Sequence, residues 1–267
     1  MTAAAATHTG TDYDAFAPHY DAFTSGSDYE RWAEVVLEHL RAHGFEGRTL
    51  LDVACGTGNS FMPFVKRGFE VAGCDSSPAM LLEAARKAPS ANLVVADMRD
   101  LQVLGEFELV TCFDDSLNYL TSERDLLATF RSMAANLVTG GLVVFDLNTL
   151  RAYRTTFARD SVRDSHDGRV FAWRGGSSEC AEAGSSAEAW IDVFVPLADG
   201  SYERVRSRHS QRHFPRDRVA AVLGEAGLEV IAVNGVLDDG TLVPDSDELR
   251  QLKVLYTARR AKGGAPR

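Results

Sequence analysis

The run Leu50-Leu51-Asp52-Val53-Ala54-Cys55-Gly56-Thr57-Gly58-Asn59 limits the possible folds of this chain more than any other segment. It reads as a strand, a turn carrying two glycines, and the start of a helix. Such glycines let the backbone come close to a ligand, and the helix that follows presents free N–H groups to it. The neighbouring sequence supplies the sheet this unit needs. Short apolar runs at 49–54, 69–74, 93–96, 107–113 and 142–147 alternate with helical stretches at 60–67, 78–88 and 123–137. Runs that are apolar on both faces predict a parallel sheet covered on each side.

An amphipathic helix is predicted over 29–43, where Trp32, Val35, Val36 and Leu40 recur at helical spacing and Gly44 stops the pattern. Beyond Leu150 the pattern changes to alternation of apolar and polar residues at 170–174, 187–195 and 202–214. Asp199-Gly200 gives a hairpin turn between the last two. A helix at 215–226 and strands at 228–233 and 252–258 follow. The predicted division is a disordered lead-in at 1–12, a helical cap at 13–48, one α/β domain from 49–152 and 215–260, an antiparallel insertion at 153–214, and a disordered tail at 261–267. Trp173, Trp190, Phe194 and Phe214 are expected to form the core of the insertion, which would roof an acceptor pocket.

The net charge of −10 comes from 38 acidic against 28 basic residues, and the one basic cluster is Arg259, Arg260, Lys262 and Arg267. That is a poor surface for nucleic acid. No apolar run approaches the roughly 18 residues of a membrane span, and the N-terminal residues lack the pattern of a secretory signal. The four cysteines, Cys55, Cys74, Cys112 and Cys180, have no C-x-x-C pairing and read as reduced thiols of a cytoplasmic protein. No metal site is expected. His209 and His213 fall on one strand face without a third ligand and are read as structural or surface residues.

Acidic residues close every predicted strand of the first half: Asp52, Asp75, Asp97, the pair Asp114 and Asp115, and Asp146. In a doubly wound sheet these share the carboxyl edge, where ligands bind. The position of a third glycine in G-x-G-x-x-G is Phe61, and Asp52 would repel a pyrophosphate, so a nicotinamide dinucleotide is disfavoured. Asp75, about 20 residues beyond the turn, can accept both hydroxyls of a ribose. The pattern suits a nucleoside that carries positive charge.

These residues resemble the motifs of class I S-adenosylmethionine-dependent methyltransferases: Asp52 to Asn59, then Asp75, then Asp97-Met98. Within that class the chain is similar to small-molecule N-methyltransferases that act on amino sugars in antibiotic biosynthesis. Tyr13, Tyr20-Asp21, Ser27-Asp28-Tyr29, Asp97-Met98-Arg99-Asp100 and Thr111-Cys112 carry that likeness. The resemblance implies a seven-stranded Rossmann-like sheet and S-adenosyl-L-methionine as cofactor. By it, Asp52, Ala54 and Gly56 hold the amino-acid end of the cofactor, Asp75 the ribose and Asp97 the adenine amino group. Met98 lies against the ring and Phe113 near the sulfonium, while Tyr20 and Tyr29 close the pocket. Ser76 and Met80 complete the cofactor-binding set. The subgroup often has a histidine after strand four, where this chain has Asn118-Tyr119. A homodimer is implied by resemblance alone.

Tyr13, Asp115, Asn118 and Tyr119 are the candidates for positioning the acceptor. A methyl donor that is already activated asks mainly for orientation and desolvation, and a neutral amine needs little help from a base. The expected reaction is methyl transfer to a small molecule, at an amine nitrogen. O- or C-methylation on the same scaffold and a non-catalytic cofactor-binding module remain as alternatives.

Overall fold

The computed structural model describes residues 10–261. In chain order it contains α1 (Gly10–Phe23), α2 (Tyr29–Ala42), β1 (Thr49–Val53), α3 (Met62–Lys66), β2 (Glu70–Asp75), α4 (Pro78–Lys87), β3 (Asn92–Val95), β4 (Phe107–Cys112), α5 (Glu123–Ala135) and β5 (Leu137–Asn148). Then come α6 (Leu150–Arg154), β6 (Ser161–Asp164), β7 (Val170–Gly175), β8 (Ser186–Pro196), β9 (Tyr202–Arg212), α7 (Arg216–Glu225), β10 (Leu228–Val236), β11 (Leu242–Pro244) and β12 (Lys253–Arg260).

The main sheet runs β11-β10-β12-β5-β4-β1-β2-β3. β1, β2, β3, β4 and β5 pair in parallel, and β12, β10 and β11 are added antiparallel. The order steps outward from β1 in both directions, which opens a crevice at the carboxyl ends of β1 and β4. The seven expected strands are all present, and the three-residue β11 is an eighth that folds back on the edge of β10.

Alternation along β1 explains why its core is double. Leu51 and Val53 pack with Leu126, Phe130 and Met133 of α5 and with Val219 and Leu223 of α7. Leu50 faces the other way, toward Val36 and Leu40 of α2 and Leu81 and Ala84 of α4. Side-chain caps start the helices cleanly: Asp28 accepts from the Arg31 N–H, Ser77 from Met80 and Ser122 from Asp125.

The second sheet, β6-β7-β8-β9, is antiparallel throughout. Ala189, Ile191 and Val193 of β8 are buried, so Trp190 and Phe194 fall on the opposite face, under Arg174 and Arg204. They are therefore not core residues as expected. Trp173 does pack inward, against Phe157, whereas Phe214 belongs to the core of the main sheet.

Several boundaries differ from expectation. The backbone of residues 10–12 is helical, because the packed face of α1 around Phe16 and Ala17 propagates helix back by one turn; residues 1–9 lie outside the described residues. Ala261 donates its N–H to Gly227 and is part of the sheet end, while 262–267, with Lys262 and Arg267, are not described. β5 begins before Gly140-Gly141 rather than after them. β9 ends at Arg212, so His213 is not on the strand with His209. β6, exposed along its whole length, and α6 were not expected.

Candidate active site

The turn after β1 leaves the sheet through left-handed backbone at Ala54 (φ 57°), Gly56 (φ 53°) and Gly58 (φ 84°). The turn after β4 does the same at Asp114 (φ 56°) and Asp115 (φ 51°). Non-glycine residues rarely adopt this conformation, and it concentrates at ligand sites because surrounding contacts must hold it. Both strained turns open onto one cavity of about 640 Å³, within the range of roughly 300–1,000 Å³ of small-molecule sites.

Tyr13 and Tyr20 of α1 close one side of the cavity, and Ala54, Gly56, Asp75, Ser76 and Met80 form the wall at β1 and β2. Asp97, Met98 and Arg99 line the end beyond β3. Asp114, Ser116, Tyr119, Asp125, Arg208 and Ser210 line the remainder. A Cβ at Gly56 would meet nothing within 4 Å, so open space lies directly before that turn.

The lining is electrostatically lopsided. Four of its residues are carboxylates (Asp75, Asp97, Asp114, Asp125), and both of its guanidiniums are already paired. Arg99 is bound in two-pronged fashion to Asp97, with Nη2 to Oδ2 at 2.5 Å, and Arg208 pairs with Glu188. The Arg99 guanidinium holds the Asp97 carboxyl below its usual range. Burial pushes the Asp75 carboxyl up, against the pull of the N–H groups of Ser77 at 2.9 Å and Gly56 at 2.8 Å. Burial likewise raises Asp114, opposed by Lys253 and reinforced by Asp146 and Asp115. A cation entering this space relieves both.

Behind the wall, Lys253 of β12 sits among three carboxylates: Asp146 at 2.7 Å, Asp115 at 3.0 Å and Asp114 at 3.9 Å. Burial opposes its charge, but the three acids outweigh that and hold its pKa well above the usual lysine value. Tyr29 donates its hydroxyl to Asp114 at 2.9 Å. A second chain joins Tyr13, Tyr119, His209 and Ser207, with Tyr13 to Tyr119 and Tyr119 to His209 both at 2.7 Å.

Of the residues singled out from the sequence, Tyr13, Tyr20, Ala54, Gly56, Asp75, Ser76, Met80, Asp97, Met98 and Tyr119 line the cavity, and five do not. Asp52 is fully buried and accepts the hydroxyls of Ser60 and Thr111, each at 2.6 Å, so it braces the turn from behind. Phe113 is buried against Trp32. Tyr29 stands behind Asp114. Asp115 is taken up by Lys253 and by Gln211, whose amide donates to it at 2.5 Å. Asn118 is wholly buried, donating to Tyr153 and to the Arg212 carbonyl and accepting from the Asn148 N–H, and so ties the two sheets together. Asp114, Arg208 and Ser210 line the cavity but were not among the site candidates. The sequence signal for Asp114 was present, since it closes strand four beside Asp115. Among the described residues no cluster of three metal-ligating side chains occurs and no helix is long and apolar enough to cross a membrane.

Comparison with known proteins bears on the family. Residues 50–141 match a family described as a methyltransferase domain. A methyltransferase of Geobacillus sp. (strain WCH70) is 32% identical over 233 residues, covering 85% of this chain and 93% of that protein. The dTDP-3-amino-3,4,6-trideoxy-alpha-D-glucopyranose N,N-dimethyltransferase of Streptomyces venezuelae is 36% identical over 129 residues, 48% of this chain and 54% of that enzyme. The S-adenosylmethionine-bound structure of CalS10, an amino pentose methyltransferase from Micromonospora echinaspora, superposes with a TM-score of 0.72 at 25% identity. That match covers 92% of this chain and 96% of CalS10.

Proposed function

The chain belongs to the S-adenosylmethionine-dependent methyltransferases, and from that premise we propose that it methylates an amine nitrogen of an amino sugar or related natural product. When bound, S-adenosylmethionine supplies the methyl group, which the acceptor lone pair takes as the carbon–sulfur pair returns to sulfur. The residues present fit that cofactor: open space before Gly56, an inward carboxylate at Asp75 and an acidic lining for a sulfonium and an ammonium. In this reading Ala54 and Gly56 approach its amino-acid end, Asp75 takes the ribose hydroxyls, and Met98 packs on the adenine ring. Asp97 serves that end through the lone pairs that its two-pronged pairing with Arg99 leaves open. Tyr20 covers the pocket from α1, and Ser76 and Met80 line it beside Asp75.

The observation that carries the amine is Asp114. Its carboxylate lies on the cavity wall, between the Tyr29 hydroxyl and the more distant Lys253 ammonium. It can hold a protonated amine on arrival, and a neutral amine then needs orientation rather than a strong base. Asp114 replaces Asp115 as the acceptor's acidic partner, because Asp115 is spent on Lys253 and Gln211. The amino-sugar methyltransferases similar to this chain support the acceptor class. The test is transfer of labelled methyl from S-adenosylmethionine to dTDP-3-amino-3,4,6-trideoxyglucose and to the same sugar with hydroxyl in place of the amine. Label on the amine alone is expected; label on the hydroxy sugar alone overturns the reading.

A further inference from the structure

His209 reaches the interior on the face of β9 that also buries Ser207 and Gln211. Both of its ring nitrogens meet hydroxyls: Nδ1 lies 2.7 Å from the Tyr119 oxygen and Nε2 2.9 Å from Ser207 Oγ. The ring stands edge-on to Tyr13 and Phe16 and stacks on Trp173. It does not line the cavity, but Tyr13 and Tyr119 do.

Counting protons gives the chain a direction. The Gln211 amide is oriented at both ends, with Oε1 accepting from Asn148 at 2.9 Å and Nε2 donating to Asp115. The same amide bears on the Tyr119 hydroxyl as a donor group, and the Tyr119 oxygen accepts from Tyr13. Tyr119 then has His209 Nδ1 as the acceptor for its own proton, and the Nε2–H of His209 donates to Ser207. Among the described residues nothing donates to the Tyr13 oxygen.

We propose that His209 is a positioning residue for methyl transfer: acting through Tyr119, it turns the lone pairs of the Tyr13 hydroxyl into the cavity, where they accept an N–H of the acceptor amine. The inference rests on the amine reading above. One N–H held at Tyr13 fixes how the nitrogen is rotated, and so where its lone pair aims. A protonated imidazole would keep its Nε2–H on Ser207 but reverse the bonds to Tyr119 and from there to Tyr13, and so present a phenolic proton to that N–H. Burial prevents this by bringing the imidazole down to about 4, against the pull of Asp115. Tyr13, Tyr119 and Asp115 are the titratable groups that face it.

Two measurements test the proposal. In full-length protein labelled with nitrogen-15 histidine and saturated with S-adenosylhomocysteine, NMR near neutral pH is expected to show His209 neutral with a bare Nδ1. A protonated Nδ1 overturns the proposal whatever the acceptor is. With dTDP-3-amino-3,4,6-trideoxyglucose as acceptor, His209→Phe is expected to lower kcat roughly 10–100-fold and leave the Kd of S-adenosylmethionine unchanged. His209→Asn, whose Oδ1 takes the place of Nδ1, is expected to recover most of the rate. The double variant His209→Phe with Tyr119→Phe is expected to be no slower than Tyr119→Phe alone. Equal losses in the Asn and Phe variants, or additive losses in the double variant, overturn the proposal. A wild-type enzyme that labels only the hydroxy sugar removes the amine reading and with it the N–H role, while the NMR result still reports the direction of the chain.

Discussion

The Asp75 carboxylate accepts the backbone N–H of Gly56 at 2.8 Å, so the residue facing the cavity from the end of β2 also fixes the turn after β1. Its other oxygen takes the N–H of Ser77. Asp75→Asn keeps the shape and loses the charge and one acceptor. The Kd for S-adenosylmethionine is expected to rise roughly 10–100-fold, as for loss of a charged hydrogen bond. Isothermal titration showing wild-type affinity would take Asp75 out of the cofactor site.

The two glycines of the turn should respond differently to alanine. Both have positive φ, which costs a side chain about 1–2 kcal/mol. At Gly58 the new Cβ would also lie 2.7 Å from the Phe61 ring and 3.3 Å from Ala84 Cβ, inside a packed core. Overpacking adds roughly 1–3 kcal/mol there. Thermal unfolding should therefore fall further for Gly58→Ala than for Gly56→Ala, while cofactor affinity falls more for Gly56→Ala, whose methyl enters the cavity. The reverse order in unfolding would mean that the Phe61 contact is not what holds the turn.

Lys253→Met removes the ammonium that three carboxylates share. Asp146 is buried at 2% exposure and would be left without its ion partner. Breaking a fully buried pair costs about 3–5 kcal/mol. Lys253 keeps 31% of its side-chain surface exposed, so roughly 2–3 kcal/mol is expected after screening. Urea denaturation at neutral pH measures it, and a loss below about 0.5 kcal/mol, the size of an ordinary surface change, would show that the cluster is solvated.

Burial pushes the Asp52 carboxyl up to about 7, against the hydroxyls of Ser60 and Thr111 and with help from the charges of Asp114 and Asp75. Its pKa is thus higher folded than unfolded. The stability it contributes is complete below the usual carboxylate pKa of about 4 and is lost as pH rises through about 7. Asp52→Asn has no such proton to lose. Relative to wild type, the variant should gain on the order of 4 kcal/mol between the acid and alkaline sides of that window. A difference in unfolding free energy that does not change with pH would show that Asp52 titrates normally.

Pattern reached the fold further than the site. β1, β2, β4 and β12 were legible because a strand covered on both faces is largely apolar, and Gly47, Gly68 and Gly105 mark the approach to the first three. β6 was not, because Ser161–Asp164 is exposed along its length and no periodicity distinguishes it from loop. The acidic edge could be read from the sequence, but the aim of each acid could not. Asp114 and Asp115 are adjacent with nearly equal φ, and only the arrival of Lys253, from a strand more than a hundred residues on, decides which one is consumed. Asp52 was drawn inward by Ser60 and Thr111 for the same reason. His209 had the alternation of a buried position, yet its partner Tyr119 lies 90 residues away, a pairing that only the tertiary fold creates.

Helix α1 is fastened on two sides. Asp14 takes the Ser77 hydroxyl, and Asp21 takes Thr57 at 2.6 Å and Lys87 at 2.7 Å. On its other flank Phe16 and Phe23 pack with Phe171, Ile191 and Val193 of the antiparallel sheet. The helix also contributes both Tyr13 and Tyr20 to the cavity. In the proposed reading, methyl donor and acceptor lie in the one cavity that this helix closes, so displacing it for either exposes both to water.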